Sequence, residues 1–244
     1  MNNYKLIVQY DGTNYAGWQM QQNAVSVQQK LIEAIETITK EKVNLIGSGR
    51  TDSGVHALGQ VANFRIDKEL DIFKFQYSLN SLLPNDISVV KVDKVNESFH
   101  ARFDAKSRSY LYLFSRNKSP FYNKYSYQFY SIEKFNFEYL NGISKIILGE
   151  HDFTSFSKKN VELNDKNCIV SGIHWKKGKE LSYFYITANR FLHGMVRTII
   201  GTLLFAANNN LDEKYLSDVF EQKNRKEAEE SVPAKGLFLF KVRY

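Results

Sequence analysis

An α+β fold is predicted for this 244-residue chain, on three observations. Short stretches with apolar residues at every second position recur from end to end, as half-buried strands require. Between them stand longer stretches with apolar residues three and four apart, the spacing of a helix face. Over the first ~100 residues these alternate as strand, helix, strand, strand, helix, strand, the order of a ferredoxin-type sandwich.

Residues 5–10 alternate and read as the first strand, and residues 11–14 as a turn. Tyr15, Gly17, Trp18, Gln19 and Gln21 follow, too rich in glycine and polar groups for a helix. Ser26 and Gln29 form a capping box, and Val27, Leu31, Ala34, Ile35 and Ile38 carry a helix to about Lys40. Residues 43–46 and 60–65 read as strands on either side of a glycine-bearing loop. Residues 71–82 are helical, with Phe75, Leu79 and Leu82 on one face and Pro84 as the stop. Residues 87–95 close the first half as a strand.

The second half is similar in style. Residues 107–115 and 125–130 read as strands, and residues 135–148 as a helix ending at Gly149. Residues 168–176 and 181–188 form a hairpin across Lys177, Gly178 and Lys179. A long apolar helix is predicted over 191–207, a short one over 212–220, and a last strand over 236–242. A boundary near Ala105 divides the chain into subdomains of residues 1–105 and 106–244.

Composition narrows the class. Apolar residues make up 43% and charged residues 24%, as in an ordinary globular protein. The start of the chain shows no signal-peptide pattern, and no apolar run is long enough to span a bilayer, so no membrane association is expected. One cysteine, Cys168, rules out an internal disulfide and suits a reducing compartment, so a cytoplasmic protein is expected. Lysine and arginine exceed aspartate and glutamate by 33 to 26, a net charge of +7 that suits a polyanionic partner without requiring one. The five histidines are far apart and offer no metal-ligand spacing. No phosphate loop, dinucleotide fingerprint or serine-hydrolase elbow is present.

The stretch Gly47–Gly59, GSGRTDSGVHALG, is a loop between two strands, a common place for chemistry. Its glycines permit unusual backbone angles and allow Arg50 and Asp52 to approach a ligand. The same composition also suits a plain hairpin with a solvated Asp-Ser-Gly turn.

Six segments then align in order: YDGTNYAGWQMQ, GRTDSGVHALGQ, FHARFDAKSRSYLY, GEHDFTSFS, ANRFLHGMVRTIIG and GLFLFKV. Together they resemble the tRNA pseudouridine synthase A family, over nearly the whole chain, and the GRTD-GVHA motif is highly specific. The resemblance implies two ferredoxin-like or RRM-like halves forming a pseudouridine synthase fold, with a central, mostly antiparallel sheet and a basic RNA cleft. It implies isomerisation of uridine to pseudouridine at positions 38, 39 and 40 of the tRNA anticodon stem-loop, with no cofactor and no metal, by a homodimer. Residue by residue, Asp52 matches the nucleophilic aspartate, Tyr110 the tyrosine packed on the target base, and Arg197 the arginine paired with the aspartate. Ser53 stands where alanine is usual.

The alternatives stay open at this level. Arg197 also fits a phosphate contact or a structural ion pair. Tyr110 shares a strand face with Tyr112 and Phe114, a pattern that suits a core as well as a stacking surface. His56 suits either a substrate contact or a structural histidine. Arg50, Lys106, Arg108, Arg116, Lys118, Lys158, Lys159 and Arg190 are candidate phosphate ligands, and a solvated charge run is the simpler reading for some of these and for Lys223, Arg225 and Lys226. An idle RNA-binding module and a glycoside hydrolase are the competing classes. The second needs two carboxylates, and the central loop offers one.

Overall fold

The computed structural model describes residues 1–158 and 165–244. The chain divides into two units, one of Met1–Lys106 with Phe238–Tyr244 and one of Ser107–Leu237. The architecture is mixed α+β with mostly antiparallel strand pairing.

The first unit contains β1 (Asn2–Tyr10), α1 (Val27–Thr39), β2 (Ile46–Gly47), β3 (His56–Ile66), α2 (Ile72–Leu82), β4 (Ile87–Val95) and the chain's last strand, β10 (Leu237–Arg243). Its sheet runs in the order β4-β1-β3-β10. β1 is antiparallel to both neighbours, and β10 lies parallel to β3 through Phe238↔His56 and Leu239↔Ala57. Tyr4, Leu6 and Val8, all on one face of β1, are completely buried. The helices bring Val27, Leu31 and Ile35, and Phe75 and Leu79, to the same core.

Helix α1 starts as its sequence predicts, with the Ser26 hydroxyl accepting the Gln29 amide at 3.2 Å. The reciprocal half of the capping box is not made, because the Gln29 side chain turns outward to Glu33 at 2.9 Å. The strand expected over 43–46 shrinks to Ile46 and Gly47, which pair with Asn63 and Ala62 of β3. β3 itself begins at His56, earlier than its alternation suggests, because β10 pairs with its first residues.

The second unit contains β5 (Ser107–Ser115), β6 (Tyr127–Gln128), α3 (Phe137–Ser144), β7 (Gly149–Asp152), β8 (Asn167–Lys176), β9 (Leu181–Ala188), α4 (Met195–Asn208) and α5 (Glu213–Gln222). The strand order is β5-β9-β8-β7, each pair antiparallel, with the two-residue β6 parallel to the end of β5. The stripe on β5 is core at Tyr112 and Phe114, which join Trp175 and Phe184, all fully or nearly fully buried. Phe114 stacks on Trp175 at 5.8 Å between ring centres, and Trp175 packs on Phe184 at 4.7 Å.

Two helices depart from their expected spans. The helix over 135–148 is α3 followed by a separate 3-10 turn at Lys145–Ile147. The helix over 191–207 starts only at Met195, because Gly194 takes φ +75°, a left-handed conformation that cannot continue a helix. β7 was not anticipated, since GEHD has neither alternation nor apolar content. Among the described residues no helix is long and apolar enough to cross a membrane.

Candidate active site

Asp52 belongs to the first unit, and Tyr110 and Arg197 to the second, so each is described in its own surroundings.

The loop that bears Asp52 is fastened from three sides. At its start, the fully buried Gln60 side chain accepts the Ser48 hydroxyl at 2.7 Å and donates to the Gly49 carbonyl at 2.9 Å. On one flank the Tyr10 and Thr51 hydroxyls share a hydrogen bond of 2.8 Å. Burial pushes the Tyr10 phenol well above its ordinary range, opposed in part by its bonds to Thr51 and Gln60, so it stays neutral there. On the other flank the Trp18 amide donates to the Thr51 carbonyl at 3.1 Å, and the Ser53 hydroxyl donates to the Tyr15 carbonyl at 3.1 Å. Gly17, at φ +95°, lies directly against the Thr51–Asp52 peptide, where any Cβ would collide with the Thr51 carbonyl oxygen.

Within this clamp Asp52 opens a tight turn. The Val55 amide donates to the Asp52 carbonyl at 3.1 Å, and Gly54 takes φ +75°. The backbone is thereby committed, while the Asp52 side chain stays half-buried and Arg50 is exposed. A carboxylate on a backbone held at both ends is pre-positioned, as nucleophilic chemistry requires.

His56 lies elsewhere than a substrate contact would suggest. It is 1% exposed, its ring stacks on Phe238 at 4.8 Å, and its Nδ1 is 3.1 Å from both the Gly12 amide and an Asp11 carboxylate oxygen. Nδ1 accepts from the amide only when unprotonated and pairs with the carboxylate only when it carries a proton, so the two contacts belong to different states.

In the second unit, Tyr110 is 9% exposed at the end of the aromatic stripe, edge-on to Phe191 at 5.1 Å and 88°. Its neighbour Tyr112 donates to the Pro233 carbonyl at 2.8 Å, and burial raises its phenol strongly against the opposing pull of the Arg197 charge. Arg197 sits in the first turn of α4. Its Nε donates to the Val232 carbonyl at 2.6 Å, and the Val232 amide donates back to the Arg197 carbonyl at 3.2 Å. The same strap is fixed to α4 by the Thr198 and Ser231 hydroxyls at 2.8 Å and by the Glu229 amide on the Thr202 hydroxyl at 3.2 Å.

Several candidate phosphate ligands are already engaged within the protein. Arg116 pairs with Glu133 at 2.8 Å and Arg190 with Asp165 at 3.2 Å, while Arg108 donates to the Asn189 carbonyl at 2.7 Å. In the charge run, Lys223 pairs with Asp152 at 3.1 Å. Arg225 donates to the carbonyls of Ala228 and Glu229. Lys106, Lys118, Lys158 and Lys226 are exposed, and Lys159 lies outside the described residues. No group of three or more histidine, cysteine, aspartate or glutamate side chains among the described residues is placed to hold a metal ion.

Sequence reasoning missed Tyr10, Tyr15, Gly17, Trp18 and Gln60 as the supports of the loop. The available signal was YDGTNYAGW itself, whose glycines and aromatics make neither helix nor strand.

Comparison with known proteins identifies the family. The family model for tRNA pseudouridine synthase matches residues 6–104 and 143–244. The chain is 39% identical over 244 residues to tRNA pseudouridine synthase A of Thermoanaerobacter sp. (strain X514), covering 100% of both. It is 41% identical over 247 residues to the protein of the same name from Bacteroides thetaiotaomicron, covering 100% of this chain and 91% of the other. A third such protein, from Bacteroides fragilis, is 40% identical over 243 residues, 99% of this chain and 96% of the relative. By the family match and by 39–41% identity over nearly its whole length to these relatives, the chain belongs to the tRNA pseudouridine synthase family of isomerases.

Proposed function

We propose that the protein isomerises uridine to pseudouridine at positions 38, 39 and 40 in the anticodon stem-loop of tRNA, with Asp52 as the nucleophile. The observation that carries this reading is the clamped turn that fixes the Asp52 backbone while leaving its carboxylate half-buried beside the exposed Arg50.

The reaction breaks the C1′–N1 bond, turns the uracil and joins C5 to C1′. The C5 proton is released, N1 acquires a proton, and nothing is lost from the chain. A fixed carboxylate serves by attacking C1′, attacking the uracil ring or taking a C2′ proton. In each case it acts ionised, and Arg197 is the cation that the family resemblance pairs with it. Tyr110 then supplies an aromatic wall for the freed base, and its hydroxyl is a candidate acceptor for the C5 proton. The target nucleotide must leave its stack, at a cost of a few kcal/mol, which basic side chains on the phosphates offset. Arg50 is the exposed cation next to the nucleophile and takes that role first. His56, buried on Phe238, acts through the Gly12 segment rather than by touching RNA. The working form is a cytoplasmic C2 homodimer that binds tRNA across a basic cleft.

Tritium release from tRNA labelled at uracil C5 tests the reading directly. The wild type is expected to release label without cleaving the RNA or liberating base. Asp52→Asn should fold and bind tRNA but lose at least ~10³-fold in rate, roughly 4 kcal/mol of transition-state stabilisation. Near wild-type turnover by that variant would place the nucleophile elsewhere. Native mass measurement at micromolar concentration should give twice the chain mass, and a fully active monomer would remove the homodimer.

A further inference from the structure

The second unit carries a cationic corner that the isomerisation chemistry does not use. Pairing of Ser115 with Leu181 brings the end of β5 beside the β8–β9 turn. A cleft opens there, lined by Ser115, Arg116, Lys118, Tyr122, Lys179 and Glu180, among others. The segment from 116 to 124, RNKSPFYNK, holds three cations and no acid, and the facing turn from 176 to 179 reads KKGK. Arg116 and Lys177 are both tied to Glu133, through its carboxylate at 2.8 Å and its carbonyl at 3.2 Å. Lys118, Lys124 and Lys179 have no carboxylate within ion-pair distance among the described residues. Phe121 stands on the same segment with 82% of its surface exposed, among the most exposed large apolar side chains of the chain.

This segment is built. The Asn123 amide donates to the Ser119 carbonyl at 3.0 Å, and the Tyr125 amide to the Tyr122 carbonyl at 3.0 Å. The buried Ser126 hydroxyl joins the Tyr122 carbonyl to Ser115 at 2.8 and 2.9 Å. The segment therefore carries an exposed apolar ring and two unpaired lysines, Lys118 and Lys124, with Lys179 on the facing turn across the cleft, an arrangement that a partner with both anionic and apolar groups would relieve. A nucleic acid does so. Its phosphates neutralise the lysines, and an unpaired base covers the ring.

We propose that this cleft and the segment that borders it are an RNA contact of the second unit, with backbone phosphates on Lys118 and Lys179 in the cleft and an unpaired nucleobase stacked on Phe121 of the bordering segment. The proposal rests on the tRNA reading above and deepens it.

Lys118→Ala with Lys179→Ala should weaken tRNA binding and make the slope of log Kd against log salt shallower by about 1.4, at ~0.7 per phosphate contact on a single strand. KM should rise while kcat at saturating tRNA stays at the wild-type value. Phe121→Ala should weaken binding about 5-fold or more with an unchanged salt slope, since stacking releases no counterions, and Phe121→Tyr should restore it. Unchanged affinity and slope in the double lysine variant would overturn the phosphate site, and unchanged affinity in Phe121→Ala would overturn the stacking site. Both are read against wild-type protein in the tritium assay. If the wild type releases label and the variants match it throughout, this proposal fails alone. If the wild type releases none, the isomerase reading fails first.

Discussion

The backbone that carries Asp52 is held by hydrogen bonds at Thr51, Asp52 and Ser53. Gly17 makes this testable. Its φ of +95° and its contact with the Thr51–Asp52 peptide leave no place for a methyl group. Gly17→Ala should therefore cost more than the ~1 kcal/mol typical of a glycine replaced at positive φ, and push the turn away from its clamps. The expected result is a folded protein with a lowered melting temperature and a kcat reduced far more than its tRNA affinity. Equal losses in both, or neither, would mean that the Tyr15–Trp18 segment does not position the loop. Ser53 carries a smaller lesson of the same kind. From sequence it is a near-isostere of alanine, yet in the structure its hydroxyl reaches the Tyr15 carbonyl. The Asp52 loop could be placed because a short motif marks it. Tyr10 and Trp18 could not, because no local pattern states which distant side chain will meet Thr51.

At the scale of the element, β5 shows how far periodicity reaches. Alternation placed Tyr110, Tyr112 and Phe114 on one face, and burial agrees, with Tyr112 and Phe114 inaccessible and Tyr110 at 9%. What alternation does not convey is that the Tyr112 hydroxyl ends on the Pro233 carbonyl. Tyr112→Phe should leave that carbonyl without its donor and destabilise the protein by about 1–3 kcal/mol, measured by denaturant unfolding, with tRNA binding intact. An unfolding midpoint equal to wild type would show that the hydroxyl is replaceable by solvent. Elements with strong local signals, α1 and the β8–β9 hairpin among them, lay close to their expected spans. The short strands β2, β6 and β7 did not, because two to four residues pair only where a neighbouring strand already stands. Helix α4 is intermediate. Its apolar run is plain, but its start depends on Gly194 and its arginine on a strap, residues 229–232, with no pattern of its own.

For the whole molecule, the last strand sets a schedule. β10 belongs with the first unit and pairs with β3 beside His56, yet it is translated well after the loop that bears Asp52. At ~5–20 residues per second, the loop bearing Asp52 leaves the ribosome roughly 10–40 s before the strand that completes its sheet. During that interval the sheet is one strand short and the His56 ring lacks Phe238. The sheet that carries the Asp52 loop is complete only once β10 is available to pair with β3. A chain stopped after Pro233 should accumulate as inactive, aggregation-prone material even though every residue of the GRTD motif is present, and a soluble, active truncate would show that the first unit matures without its final strand. A copy that lacks β10 is thereby expected to leave tRNA unmodified.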